Sequence, residues 1–79
     1  MENVQREMTF GEKAVGLTFN PGNNLEVHNL KVDFANIIDY LNDKRLETEN
    51  PEVKRMLSLA ITELQTAQMW AVKATTWQF

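Results

Sequence analysis

Residues 51–77 read PEVKRMLSLAITELQTAQMWAVKATTW, and this stretch decides the fold. It begins with Asn50, Pro51 and Glu52, which are the capping residue, first-position proline and early acid typical of a helix start. Apolar residues then recur at steps of four and three, so one face can pack along a neighbouring helix. This predicted seam consists of Val53, Leu57, Ala60, Leu64, Ala67, Ala71 and Ala74. We predict a helix from about residue 51 to about residue 76.

A second stripe runs beside the seam, within a sector of about 80° at about 100° per residue. It consists of Leu59, Glu63, Thr66, Trp70, Lys73 and Trp77. Two exposed tryptophans are costly in a monomer, so a ligand or a neighbouring subunit should cover them. A base could stack on the indoles with its phosphate on Lys73. Spacing alone favours an oligomer core past which the lysine extends to solvent.

The preceding residues predict a partner helix from about residue 25 to about residue 46. Its apolar face carries Val27, Leu30, Phe34, Ile37, Ile38 and Leu41. The polar link Glu47-Thr48-Glu49 is short, so the two helices should be antiparallel neighbours. Leu25 and Val32 lie on the opposite side. A two-helix hairpin cannot bury both faces, and we therefore expect it to assemble into an oligomer.

Residues 1–23 hold all three glycines and one of the two prolines, and they have no helical period. AVGLTFNPGNN mixes β-forming residues with turn residues, so we expect an extended N-terminal arm that ends at Asn20-Pro21-Gly22. Asn23 or Asn24 can cap the first long helix. The predicted fold class is all-α, with residues 1–79 forming a single helical-hairpin domain.

Composition narrows the possible functions. The chain has 79 residues, a net charge of −3, no cysteine and one histidine. Disulfides are therefore excluded, and an all-protein metal site is not expected. Self-association is the remaining way to add to the stability of a small core. No run approaches the ~20 apolar residues of a membrane span, and the N-terminus lacks a signal-peptide pattern. We expect a cytoplasmic protein that binds neither membrane nor DNA or RNA polymers.

The sequence offers little for catalysis. The single histidine, His28, has no Ser–His–acid spacing around it and is better explained as a surface or interface residue. GEKAVG lacks the spacing of a phosphate-binding loop. Asp39 and Asp43, four residues apart, could share a cation, but a solvated acidic face is favoured. We expect no enzyme, no cofactor, no catalytic residues and no metal ligands.

The stretch ITELQTAQMWAVKATTW, preceded by GEKAVGLTFNPGNN and a helical hairpin, resembles a family of small phage proteins. These are the anti-CBASS and anti-Thoeris nucleotide sponges that share a hairpin domain, and the resemblance covers residues 11–77. It implies homo-oligomers, often hexamers, that hold cyclic oligonucleotides or cyclic ADP-ribose-type signals between subunits without cleaving them. Sequestering the signal blocks bacterial anti-phage defence, which would place the protein in the host cell cytoplasm.

The resemblance also implies ligand-binding positions, in the arm and near the end of the second long helix. The matching residues are Lys13, Phe19, Asn20, Lys31, Lys73, Thr76 and Trp77. Aromatic rings would stack on bases, lysines would meet phosphates, and Asn20 or Thr76 would hydrogen-bond a base edge or a phosphate. Arginines, the usual bidentate phosphate ligands, are limited to Arg6, Arg45 and Arg55. The alternative function is a structural or regulatory oligomerisation hairpin that binds a protein partner.

Overall fold

Two long helices form the body of the protein in a computed structural model that describes residues 6–79. They are α2 (Leu25–Glu47) and α3 (Pro51–Thr75), and a short helix α1 (Phe10–Val15) precedes them. The Asn24 side chain accepts the Val27 N–H, and the Asn50 side chain accepts the N–H groups of Glu52 and Val53. These contacts satisfy backbone donors that a helix start leaves unpaired. The described part of the chain is all-helical, as predicted.

α2 and α3 pack as an antiparallel hairpin around a small apolar core. Near the link, the Arg45 guanidinium donates to the Ser58 hydroxyl at 3.0 Å. At the far end of the pair, Lys31 of α2 and Val72 of α3 border the same grooves. The core between these ends consists of Val15, Ala35, Ile38 and Ile61.

The predicted seam on α3 is wrong in its C-terminal half. Ile61 and Gln68 are the buried residues of this helix, whereas Ala67 and Ala74 are exposed in the single chain. Ile61 and Gln68 each follow a predicted seam residue by one position, which is about 100° around the helix. α1 lies on this side of α3, since Gln65 donates to the Ala14 carbonyl and Gln68 borders the groove between α1 and α3.

The predicted extended arm is also wrong, because residues 10–15 form α1. The Thr9 hydroxyl accepts the Glu12 N–H at 3.1 Å, and the Glu12 carboxylate accepts the Thr9 N–H at 2.9 Å. This reciprocal capping box satisfies two backbone donors at the start of the helix. Gly16 ends the helix in the left-handed region at φ 63°, which glycine adopts without steric cost. A six-residue helix is too short to show a hydrophobic period.

Close backbone contact attaches α1 to α2. The Gly11 N–H donates to the Asp39 carboxylate at 2.6 Å. A Cβ atom at position 11 would lie 2.1 Å from the Ala35 carbonyl oxygen, so only glycine fits without a shift. Asp39, which the sequence suggested was solvated, is therefore partly buried and fixes the start of α1.

The three helices form a thin layer with extents of 44 × 43 × 13 Å. A single layer leaves apolar side chains uncovered on its surfaces. Leu59, Trp70 and Trp77 of the second stripe are 50%, 65% and 59% exposed. None of the helices in residues 6–79 is long and apolar enough to cross a membrane.

Candidate functional site

A groove of about 500 Å³ lies between the loop of residues 16–24 and the C-terminal end of α3. Its lining includes Phe19, Asn20, Lys31, Val72, Thr76 and Trp77, and we call it the turn groove. The volume falls within the ~300–1,000 Å³ of small-molecule sites. The groove therefore has room for a nucleotide-sized ligand.

Asparagine side chains build the rim of the turn groove. The Asn20 amide donates to the Asn24 carbonyl at 2.8 Å and accepts the Asn24 N–H at 3.1 Å. Asn23, between them, has φ 53°, a left-handed conformation that asparagine tolerates better than most residues. One N–H and one lone pair of the Asn20 amide remain for a ligand. Asn20 thus shapes the loop before it can contact anything bound there.

Lys31 is buried beneath this loop, with only 4% of its surface exposed. Its ammonium donates to the Gly16 carbonyl at 2.9 Å and to the Phe19 carbonyl at 2.6 Å. The two ion pairs within residues 6–79, Arg6–Glu12 and Arg55–Glu52, do not include it. Burial therefore lowers the pKa of Lys31. Two of the three ammonium N–H groups hold the loop, which leaves one for a ligand.

Two aromatic rings border the turn groove. Phe19 is 73% exposed, and its ring centroid lies 5.5 Å from the Lys31 ammonium. The Trp77 indole N–H donates to the Phe79 carbonyl at 2.8 Å. The Thr76 hydroxyl donates to the Val72 carbonyl at 2.8 Å, so toward a ligand it acts as an acceptor. The rings are accessible for stacking.

Phe19 and Lys31 also border a second groove, of about 480 Å³, between α1 and α3. Its other lining residues include Lys13, Gln68, Met69 and Val72, and we call it the inner groove. Lys13 is exposed there, so its ammonium is available at the edge. The two grooves meet at Phe19.

Lys73 borders neither of these grooves. Its ammonium lies 5.4 Å from the Trp70 ring centroid and 5.8 Å from that of Trp77. These cation–π contacts hold it in the exposed stripe of α3. Of the seven residues singled out from the sequence, five line the turn groove, Lys13 lines the inner groove, and Lys73 lies apart.

Sequence reasoning missed Gln68 and Val72, which line the inner groove. They lie four residues apart and therefore share one face of α3. The predicted seam ran through Ala67 and Ala71, one residue to the side of each. Gln68 and Val72 were missed because α1, which lies beside this side of α3, was not predicted.

The comparison with protein families agrees with the resemblance described above. Residues 12–76 match the family model described as Acb2/Tad1, hairpin domain. This match extends from α1 to the end of α3 and covers most of the chain. The protein belongs to the Acb2/Tad1 hairpin-domain family. The resemblance to phage anti-CBASS and anti-Thoeris sponges is thereby confirmed.

Membership of the Acb2/Tad1 family implies a cyclic nucleotide sponge, a protein that binds its ligand rather than converting it. No curated protein and no solved structure matches the chain.

Proposed function

We propose that this protein sequesters a cyclic nucleotide immune signal in the cytoplasm of a phage-infected host, without cleaving it. The ligand is a cyclic oligonucleotide or a cyclic ADP-ribose-type molecule. Holding the signal lowers its free concentration and keeps the bacterial anti-phage defence inactive. Family membership over residues 12–76 supports this role.

The main structural support for the proposal is the turn groove. It gathers residues from three separate parts of the chain: Phe19 and Asn20, Lys31, and Thr76 with Trp77. A cyclic nucleotide presents flat bases, ribose hydroxyls and phosphates. Exposed rings suit the bases, and hydrogen-bonding groups beside an ammonium suit the remainder.

The lysines contribute in different ways under this proposal. Lys13 is exposed at the edge of the inner groove and can meet a phosphate directly. Lys31 acts mainly as a positioning residue, because its ammonium holds the carbonyls on either side of the turn that carries Phe19. Lys73 holds the rings of Trp70 and Trp77 in place through cation–π contacts.

We also propose that the protein works as a homo-oligomer, with the hexamer of related sponges as the expected form. The layer is only 13 Å thick, and Trp70 on α3 and Trp77 just beyond its end remain exposed. A second copy covering this stripe would remove both indoles from water. The same exposed stripe favours the alternative function, a hairpin that binds a protein partner.

The binding of such a ligand is tested by calorimetric titration with cyclic di- and trinucleotides and cyclic ADP-ribose isomers. We expect at least one to bind and to raise the melting temperature, since a ligand that binds only the folded state stabilises it. Heating the complex and analysing the released nucleotide should recover it intact. If no nucleotide binds, the protein-binding hairpin replaces the sponge. Recovery of cleaved nucleotide would identify an enzyme.

Assembly is tested by light scattering at micromolar concentration. The chain mass is 9.1 kDa, and we expect a multiple of it. The variants Trp70→Ala and Trp77→Ala should reduce that mass if the stripe is the contact surface. A wild-type mass near that of one chain would overturn the proposed assembly and leave the ligand proposal to its own test.

The two lysine roles are separated by comparing Lys13→Met with Lys31→Met. Loss of a charged hydrogen bond, worth about 1.5–3 kcal/mol, should weaken binding ~10- to 150-fold. For Lys13→Met we expect this loss of affinity and an unchanged melting temperature. The affinity should also depend less on salt concentration, since salt screens exposed charges. For Lys31→Met we expect a lower melting temperature with the salt dependence retained. The reverse pattern would make Lys31 the phosphate contact.

A further inference from the structure

Gln68 is a buried polar residue that no other described residue satisfies. Only 6% of its surface is exposed. The hydrogen bonds of residues 6–79 include one from Gln65 to the Ala14 carbonyl but none to or from the Gln68 amide. An amide with no protein partner must form its hydrogen bonds with solvent or with a bound molecule.

The Gln68 amide meets solvent at the inner groove. Within residues 6–79, no side-chain nitrogen or oxygen is both sealed from solvent and unpaired. The unpaired amide therefore retains a small accessible area, and the inner groove is the cavity that Gln68 borders. The side chain is held by its burial while its polar end stays open to a bound molecule.

The neighbours of Gln68 in this groove define the chemistry it suits. Phe19 lies at the mouth and offers an aromatic ring, while Met69 and Val72 make the wall apolar. Lys13 adds an exposed positive charge at the edge. A flat heterocycle that carries a phosphate has the matching features, with the ring inside and the phosphate toward Lys13.

We propose that Gln68 recognises an adenine base in the inner groove. A glutamine amide pairs with adenine through two hydrogen bonds, because its oxygen accepts from the N6 amino group and its nitrogen donates to N7. Guanine carries an acceptor at position 6, so it cannot form this pair. The inference rests on the proposed function and adds a base preference to it.

The experiment compares cyclic di-AMP with its analogue in which both bases lack the N6 amino group. Wild type should bind cyclic di-AMP ~5- to 150-fold more tightly than the analogue. Gln68→Leu keeps an apolar side chain of similar length but removes the amide, so it should bind the two ligands equally. Gln65→Leu, one turn earlier on α3 and outside the inner groove, should keep the wild-type preference. Melting temperature and mass are measured for each variant.

The outcomes separate this inference from the proposed function. If wild type binds another cyclic nucleotide but shows no preference for the N6 amino group, the sponge stands and the adenine assignment is wrong. The assignment also fails if Gln68→Leu keeps the preference. It fails too if the variant lowers the affinity for both ligands equally and lowers the mass of the oligomer, because the amide then serves subunit packing. Loss of the preference at unchanged mass and melting temperature supports the assignment.

Discussion

The hairpin and the segment before it are held in different ways. α2 and α3 pack through a regular apolar face, with Ile38 fully buried at its centre. Residues 6–24 contribute Val15 to the core, but much of their attachment is through single polar contacts, such as Gly11 with Asp39 and Lys31 with two carbonyls of the turn. Half of the residues that line the two grooves lie in this second region. The hairpin provides a stable frame and one side of each groove, and the preceding segment provides the other side.

This difference implies that substitutions in the two regions should have different consequences. A change in the hairpin core should lower the stability of the whole protein. A change in residues 6–24 should disturb the grooves more than the hairpin, since Val15 is the one buried apolar side chain in that segment.

The largest effect is expected at Ile38. Ile38→Ala removes a side chain with no exposed surface and should reduce the free energy of unfolding by about 2–5 kcal/mol. Ile38→Val, which removes one methylene, should cost about 0.5–1.5 kcal/mol. Urea unfolding followed by circular dichroism measures both. Equal and small losses would mean that the hairpin core lies elsewhere.

Gly11→Ala tests the attachment of α1. The added Cβ would meet the Ala35 carbonyl oxygen at 2.1 Å, so α1 must shift, at a cost of about 1–3 kcal/mol. Gly22→Ala is the matched control, because nothing lies within 4 Å of its added Cβ, and it should change stability by less than about 0.5 kcal/mol. The same unfolding measurement applies. A neutral Gly11→Ala would show that α1 does not pack closely on α2.

The smallest effect is expected from the titration of Lys31. Because burial lowers its pKa in the folded state, the unfolded chain holds more protons between that pKa and the ordinary lysine value of 10.5. The free energy of unfolding should therefore gain a positive contribution as the pH rises through this window. The free energy of unfolding is measured against pH for wild type and for Lys31→Met, and the difference between the two curves isolates the contribution of Lys31. A difference that falls with rising pH would contradict the burial of the ammonium.

The sequence predicted the hairpin better than the site because the two regions carry different kinds of information. Long helices repeat their apolar residues over many turns, and Asn24, Asn50 and Pro51 mark where they start. α1 is too short to repeat, and its capping box was obscured by neighbouring turn residues. Which ligand candidates share a groove depends on long-range contacts, such as Lys31 with the turn, which no local pattern shows. Gln68 was missed because α1, which lies across the inner groove from it, was not predicted.

Phe19→Ala tests most directly whether binding belongs to the segment before the hairpin. Phe19 is 73% exposed and borders both grooves, so its removal should leave the melting temperature nearly unchanged. Loss of one stacked base is worth about 1–3 kcal/mol. The affinity for the cyclic nucleotide that wild type binds should therefore fall ~5- to 150-fold in calorimetric titration. Wild-type affinity in a folded Phe19→Ala protein would contradict the account, because the ligand would then bind away from both grooves.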